Sequence, residues 1–271
     1  MSRLPGRLVL LGHPVAHSLS PRFQNAALRR ADIPLVYEAL DVPPAALERV
    51  LVDLRASGAA GNVTIPHKEA VAAQCDQLTA VAGRARAVNT FWCDDARLIG
   101  DNTDVGGFEL VALGMLDGST AAGDISVALL GAGGAAAAVL TAVERWPGAR
   151  ARVFSRSADR TRRLCARFAG LAEPAETAGD AVRSATLVVN ATPIGLSDDA
   201  MPVDPALLER HTAAIDLVYR RGGTPWTRAV ARRGLRAVDG MAVLIEQGAL
   251  AFERWFGRPP DRVVMREALS A

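Results

Sequence analysis

Lysine is almost absent from this chain of 271 residues: of 31 Lys and Arg side chains, 30 are arginine and Lys68 stands alone. Asparagine is nearly as scarce, with Asn25, Asn62, Asn89, Asn102 and Asn190 forming the whole complement. GC-rich codon usage depletes both residue types, and arginine replaces lysine wherever a positive charge is all that is needed. Position 68 kept its lysine. Chance survival of one surface lysine accounts for that, and so does a need for proton transfer, because an ammonium can release its proton and a guanidinium effectively cannot. Cysteine is also sparse: Cys75, Cys93 and Cys165 lie far apart, with no CxxC and no histidine cluster. That excludes a disulfide scaffold and a cysteine zinc site, leaves no expected metal, and fits a reducing, cytoplasmic setting. No charge of one sign dominates, the net charge being +2, so neither nucleic acid nor an acidic membrane is an expected partner. The longest apolar stretch, residues 127–143, is interrupted by glycines and is too short to span a bilayer. The start, Arg3 to Gly12, carries only a short apolar run and does not read as a signal peptide.

What is present is an alternation of strands and helices. Residues 7–12, 36–42, 60–65, 87–92 and 97–101 read as strands, and residues 45–56 as a helix with Leu47, Val50, Leu51 and Leu54 at helical spacing. Ser20-Pro21 opens another helix, serine as N-cap and proline in the first turn. Such alternation predicts a mostly parallel sheet covered by helices. A second unit starts near residue 105. Strands are expected at 125–130, 152–154, 185–190 and 213–218, with an alanine-rich helix to Arg145 after the first, a doubly wound pattern. From Gly240 an amphipathic helix runs to Phe256, and a short final helix follows. The last strand ends near 238, so this tail can return to the first unit. The expected division is residues 1–104 with 240–271 against residues 105–239.

Gly131-Ala132-Gly133-Gly134-Ala135-Ala136 lies between a strand and a helix. The first glycine allows the tight turn and the second lets backbone approach a pyrophosphate. The small residue at 136 lets helix and strand pack closely, and helix N–H groups hold the phosphates. A bare tight turn would look similar, but its strand–turn–helix setting favours a dinucleotide. The following strand ends in Ser155-Arg156-Ser157, with Arg160 beyond. An NAD site usually has an acidic residue there, whereas arginine suits the 2′-phosphate of NADP.

Four polar segments interrupt the apolar strands: residues 12–21 with Ser18 and Ser20, residues 62–68 with Asn62, Thr64 and Lys68, residues 87–90 with Asn89, and residues 101–104 ending at Asp104. In an open α/β sheet ligands sit at the carboxyl ends of strands. Neutral amides and hydroxyls with one lysine and one aspartate suit a small polyhydroxylated substrate. Each has a plainer role as well. Ser20 or Asp104 can serve only as a helix cap, Asn62 and Thr64 as turn residues, His13, His17 and His67 as loop or cap residues, and Tyr37 as core. Tyr219, one of two tyrosines, fits either packing or a substrate hydroxyl contact.

In order along the chain, these segments, the GAGGA loop, Asn190-Ala191-Thr192, Asp216-Leu217-Val218-Tyr219 and Gly240-Met241 with Leu244, Gln247, Gly248 and Ala249 resemble the shikimate dehydrogenase family. The resemblance implies an α/β fold of two domains: a substrate domain completed by the C-terminal helices, and a Rossmann-like NADP-binding domain. It implies reversible NADPH-dependent reduction of 3-dehydroshikimate to shikimate, a step toward chorismate and the aromatic amino acids, in a monomer or homodimer. Ser18, Ser20 and Tyr219 would hold the substrate carboxylate. Asn62, Thr64, Asn89, Asp104 and Gln247 would bond the ring hydroxyls, and Lys68 with Asp104 would be the catalytic pair. The nicotinamide would lie near Asn190, Ala191, Thr192, Leu217, Gly240 and Met241. The chain departs from the family pattern at Gln24, where many members carry histidine, at Ser155 and Ser157, and at Arg220-Arg221-Gly222-Gly223. Those departures leave open a quinate or aminoshikimate dehydrogenase with NAD preference. A non-catalytic NADPH-binding sensor is the alternative of a different class.

Overall fold

The computed structural model describes residues 4–116 and 125–270, so Arg3 lies outside the described residues. In chain order the elements are β1 (Leu8–Gly12), α1 (Ser20–Arg30), β2 (Tyr37–Asp41), α2 (Leu47–Ala56), β3 (Ala60–Val63), α3 (Lys68–Gln74), β4 (Gln77–Leu78), α4 (Ala80–Ala85), β5 (Thr90–Asp94), β6 (Arg97–Asp101), α5 (Thr103–Leu116) and β7 (Ser126–Leu130). They continue with α6 (Gly134–Val143), β8 (Arg150–Phe154), α7 (Ala158–Arg167), β9 (Ala172–Pro174), α8 (Ala178–Val182), β10 (Leu187–Asn190), β11 (Ala213–Asp216), α9 (Pro225–Arg232), β12 (Ala237–Val238), α10 (Gly240–Phe256) and α11 (Arg262–Ser270). Two compact units result, Met1–Gly107 with Leu244–Ala271, and Phe108–Val243. Among the described residues no helix is long and apolar enough to cross a membrane.

In the first unit the sheet order is β2-β1-β3-β5-β6-β4. Only β5 runs against its neighbours. Strand alternation places Leu8 and Leu10 of β1 in one core and Val9 and Leu11 in another. The first core is closed by Phe23, Ala27 and Leu28 of α1 and by Ile245, Ala249, Phe252 and Trp255 of α10, with Met265 of α11. The second is closed by Leu47, Leu51 and Leu54 of α2 and Val71 of α3. Burial of each large side chain of this kind contributes about 1.5–3 kcal/mol. Helices α1 and α10 approach closely because Gly248 has no side chain: a Cβ there would lie 2.4 Å from Phe23 Cε2.

The second unit has the parallel order β12-β11-β10-β7-β8-β9. Counted from its own first strand this is the doubly wound order, with its switch point between β7 and β10. One face is packed by Ala181, Val182, Trp226 and Val230, and residues 136–143 of α6 are all buried.

Local boundaries differ from the sequence reading in instructive ways. Ser20 is not the N-cap of α1; Leu19 holds that place, and Ser18 Oγ accepts from Ser20 N at 3.3 Å. The strand expected from residue 87 starts at Thr90. Residues 87–89 form instead the turn out of α4, which is capped by Arg86 at φ 55°, and Val88 N donates to Lys68 O. Helix α5 begins at Thr103, so Asp104 lies inside its first turn, and Asn102 Oδ1 accepts from Asp104 N.

Candidate active site

The reversal of β5 builds the polar centre of the first unit. Because β5 is antiparallel, its first residue lies beside the last residues of its neighbours, with Thr90 opposite both Asn62 and Asp101. The segments around Asn62, Asn89 and Asp104 therefore converge at one edge of the sheet. Asn89 enters this edge from the start of its strand, against the carboxyl-end expectation.

Lys68 Nζ donates to Asp104 Oδ2 at 2.6 Å, and the two side chains are 26% and 24% exposed. The pair is thus open enough to meet a small molecule and enclosed enough to be weakly screened. Asp104 Oδ1 accepts from Asn89 Nδ2 at 2.8 Å. Asn89 Nδ2 also lies 3.2 Å from Gln247 Oε1, and Gln247 Nε2 donates to Leu244 O. Asn62 is buried, with Oδ1 accepting from the Tyr37 hydroxyl and Nδ2 donating to Asn89 O and Thr90 Oγ1. Its amide donors are therefore engaged within the protein. His67 is buried too, its ring 2.6 Å from Val42 O, so it anchors the start of α3 immediately before Lys68. His13 sits 3.0 Å from Asp41. Thr64 is half-buried, and its backbone ties Leu11 O to His67 N. Ser18 and Ser20 are joined to each other in the turn that opens α1.

In the second unit every expected cofactor residue falls at or just beyond the carboxyl end of a parallel strand: residues 131–135 after β7, Ser155–Ser157 and Arg160 after β8, Asn190–Thr192 at β10, Leu217 after β11, and Gly240–Met241 after β12. Gly131 adopts φ +125°, and a Cβ there would sit 2.6 Å from Ala191 O across the switch point. At Gly133 and Gly134 a Cβ would instead project into open space. The bare backbone there leaves room for a pyrophosphate above the ten-residue helix α6. Arg156 and Arg160 are exposed and form no ion pair among the described residues. Ser157 caps α7 by accepting from Arg160 N, and Ser155 Oγ lies 2.8 Å from Thr161 Oγ1. A dinucleotide with an extra phosphate fits this set.

Asn190 is fully engaged: Nδ2 donates to Asp216 Oδ1 and Ile194 O, and Oδ1 accepts from Thr192 N and Oγ1. Burial pushes the Asp216 carboxyl up from its ordinary value, opposed by hydrogen bonds from Thr224, Val218 N and Asn190. Burial likewise raises the Tyr219 hydroxyl, which is half-buried and bonds to nothing among the described residues.

Residues 10–91 match the family described as shikimate dehydrogenase substrate binding domain, and residues 240–269 match the shikimate 5′-dehydrogenase C-terminal domain. A shikimate dehydrogenase (NADP(+)) of Symbiobacterium thermophilum is 42% identical, covering 100% of this chain and 96% of that one. The chain belongs to the shikimate dehydrogenase family. A second family member, the shikimate dehydrogenase (NADP(+)) of Thermus thermophilus, is 42% identical over 97% of each chain. The crystal structure of shikimate 5-dehydrogenase from Thermus thermophilus in complex with NADP(H) and shikimate matches with TM-score 0.86 and 40% identity over 97% of each chain.

Of the residues that the shikimate dehydrogenase family implies, the structure brings Lys68, Asp104, Asn89, Gln247 and Asn62 into one bonded group. It keeps Ser18 and Ser20 in a separate turn and carries Tyr219 on the second unit. Several participants escaped the sequence reading. Thr90 and Thr103 join Asn62 to Asn89. Asp101, buried, accepts from Arg254 Nε at 2.7 Å and so ties α10 to the end of β6. Asp216 and Thr224 support Asn190. Thr90, Thr103, Asp101 and Asp216 all stood inside the singled-out segments without being assigned a role, and only Thr224 lay outside them.

Proposed function

We propose that the chain is an NADP-dependent shikimate dehydrogenase that reversibly reduces 3-dehydroshikimate to shikimate. The observation that carries this reading is the 2.6 Å Lys68–Asp104 pair, set among neutral amides in a chain that has no other lysine. Relatives of the same activity, 42% identical end to end, support it. Bound NADPH would supply the hydride, held by residues 131–135 at its pyrophosphate and by Arg156, with Arg160, at its 2′-phosphate.

The remaining chemistry belongs to the chain's own side chains. As the ketone is reduced, negative charge grows on its oxygen. The Lys68 ammonium stabilises that charge and delivers the proton; in the reverse direction the amine takes the hydroxyl proton. Asp104, bonded on one oxygen to Lys68 and on the other to Asn89, fixes the direction in which the ammonium points. Gln247 and Asn89 present amides, and Ser18 and Ser20 present hydroxyls for the substrate carboxylate.

Initial rates of nicotinamide reduction, with shikimate or quinate and NADP⁺ or NAD⁺, test the assignment. Fast turnover with shikimate and NADP⁺ alone is expected. Comparable rates with quinate or NAD⁺ would move the protein to a sister activity, and no turnover with any pair would remove the enzymatic reading.

A further inference from the structure

Two residues that play no part in the proposed contacts with substrate, Tyr37 and Thr90, are both buried. A continuous hydrogen-bond chain runs from one through the other to the catalytic pair. Its two ends are oriented by groups with only one role. Asn62 Nδ2 faces Asn89 O, which can only accept, so Asn62 Oδ1 faces Tyr37 and the phenol must donate, at 2.7 Å. Asn62 Nδ2 also donates to Thr90 Oγ1 at 2.7 Å, and Thr90 Oγ1 lies 3.1 Å from Thr103 Oγ1, where either hydroxyl can donate; donation from Thr90 gives both hydroxyl protons a partner. Thr103 Oγ1 donates to Asn89 Oδ1 at 3.2 Å and also accepts from Asn89 Nδ2 at 3.0 Å, so the two side chains are doubly linked. Thr103 N, which can only donate, also points at Asn89 Oδ1, so Asn89 Nδ2 is turned toward Asp104. Five successive donors can thus run one way and end on the carboxylate that holds Lys68, with one return contact, from Asn89 Nδ2 to Thr103 Oγ1 at 3.0 Å. Bonds aligned in this manner polarise one another. The far end is clamped: Asn25 bonds both the N–H and the C=O of Tyr37, and the Tyr37 ring lies 6.0 Å from that of Trp255.

We propose that this chain orients Asp104 and hence the Lys68 ammonium, and that Tyr37 and Thr90 are positioning residues for the acid–base step. Three of the five asparagines of an asparagine-poor sequence stand in it or clamp its end. The proposal rests on the assignment of Lys68 as the acid–base group.

The test compares Thr90→Val, which keeps the shape and removes the donor, with Thr90→Ser, which keeps the hydroxyl and removes a methyl. Thr90→Val is expected to lower kcat between about fivefold and 100-fold, with KM for NADP⁺ changed less than about twofold. Thr90→Ser is expected to rescue the rate even if it melts at as low a temperature. Equal rates for the two variants would overturn the proposal, because loss of packing would then explain both. A second readout does not depend on turnover. Lysine labelled with ¹³C and ¹⁵N gives a single side-chain signal from Lys68, the only lysine. In Thr90→Val that signal is expected to move toward the position of free lysine, and in Thr90→Ser to stay at the wild-type position. An unmoved signal in Thr90→Val sinks the proposal even if the wild type is fully active. A moved signal sustains the orienting chain even if shikimate proves not to be the substrate. If Thr90→Val does not fold, Tyr37→Phe breaks the same chain at its other end and is held to the same two outcomes.

Discussion

Replacing Lys68 with arginine separates charge from proton transfer at the site. The chain carries 30 arginines and tolerates that side chain widely, and a guanidinium can keep the ion pair with Asp104. The pair is about three-quarters enclosed, so a cation at position 68 still meets the developing oxyanion. What arginine cannot do is give up a proton. An acid–base group contributes roughly 10²–10⁴-fold, or about 2.7–5.5 kcal/mol of barrier at about 1.4 kcal/mol per tenfold. Lys68→Arg should therefore lose at least about 100-fold in the hydride-transfer step while melting near the wild-type temperature and binding NADPH as before. Lys68→Met, which also strands the Asp104 carboxylate, should fall further and weaken substrate binding. Because product release sets kcat in many enzymes, the measurement is single-turnover formation of NADPH by stopped flow. A Lys68→Arg rate within about threefold of wild type would refute proton delivery by this residue and leave it a fixed charge. If Lys68→Met were equally fast, the pair would be structural only.

Three further outcomes follow from the geometry. Arg156→Gln removes a guanidinium that forms no ion pair among the described residues from the end of β8 and should raise KM for NADP⁺ about 10-fold to 100-fold, a charge-assisted bond being worth about 1.5–3 kcal/mol, while KM for NAD⁺ stays put; equal effects on both cofactors would make Arg156 a bystander. Gly248→Ala forces a methyl against buried Phe23 and should cost about 1–3 kcal/mol in denaturant unfolding, with a rise in KM for shikimate because Gln247 is the adjacent residue. For Asp216 the folded-state pKa is raised by burial, so the folded protein binds this proton more tightly than the unfolded chain does. Stability from this group is therefore lost as pH rises from the unfolded value toward the folded one. Asp216→Asn should be more stable than wild type at neutral pH, the gain shrinking as pH falls toward about 4; a gain that grows in acid would contradict the assignment.

Much of this was readable from the chain itself, for identifiable reasons. Buried strands such as β7 and β10 are short apolar runs, and the polar segments stand out because they interrupt them. The loop at Gly131 is legible because its glycines, at φ +125° and in open space, serve backbone needs that leave a local trace. Long-range pairings leave no such trace. Asp101 and Arg254 are 153 residues apart, and Gln24 reaches Gly248 O across 224. The direction of β5 is equally silent, since an alternating or apolar run reads the same forwards and backwards. The start of α1 shows a finer ambiguity: the serines at 18 and 20 are chemically equal as caps, and only the fold chooses the hydroxyl of Ser18 to receive a backbone N–H there.

The reversed strand has a consequence for how errors are rejected. A slip of β5 by one residue would turn Thr90 away from Asn62 and at the same time move Phe91 out of its own core into the one on the opposite face, where Trp92 now packs. The mispairing that would scramble the reacting centre would thus also exchange a phenyl and an indole between two fitted cores, at a cost in overpacking and voids. The register of β5 therefore sets core packing and the alignment of the asparagines in a single event.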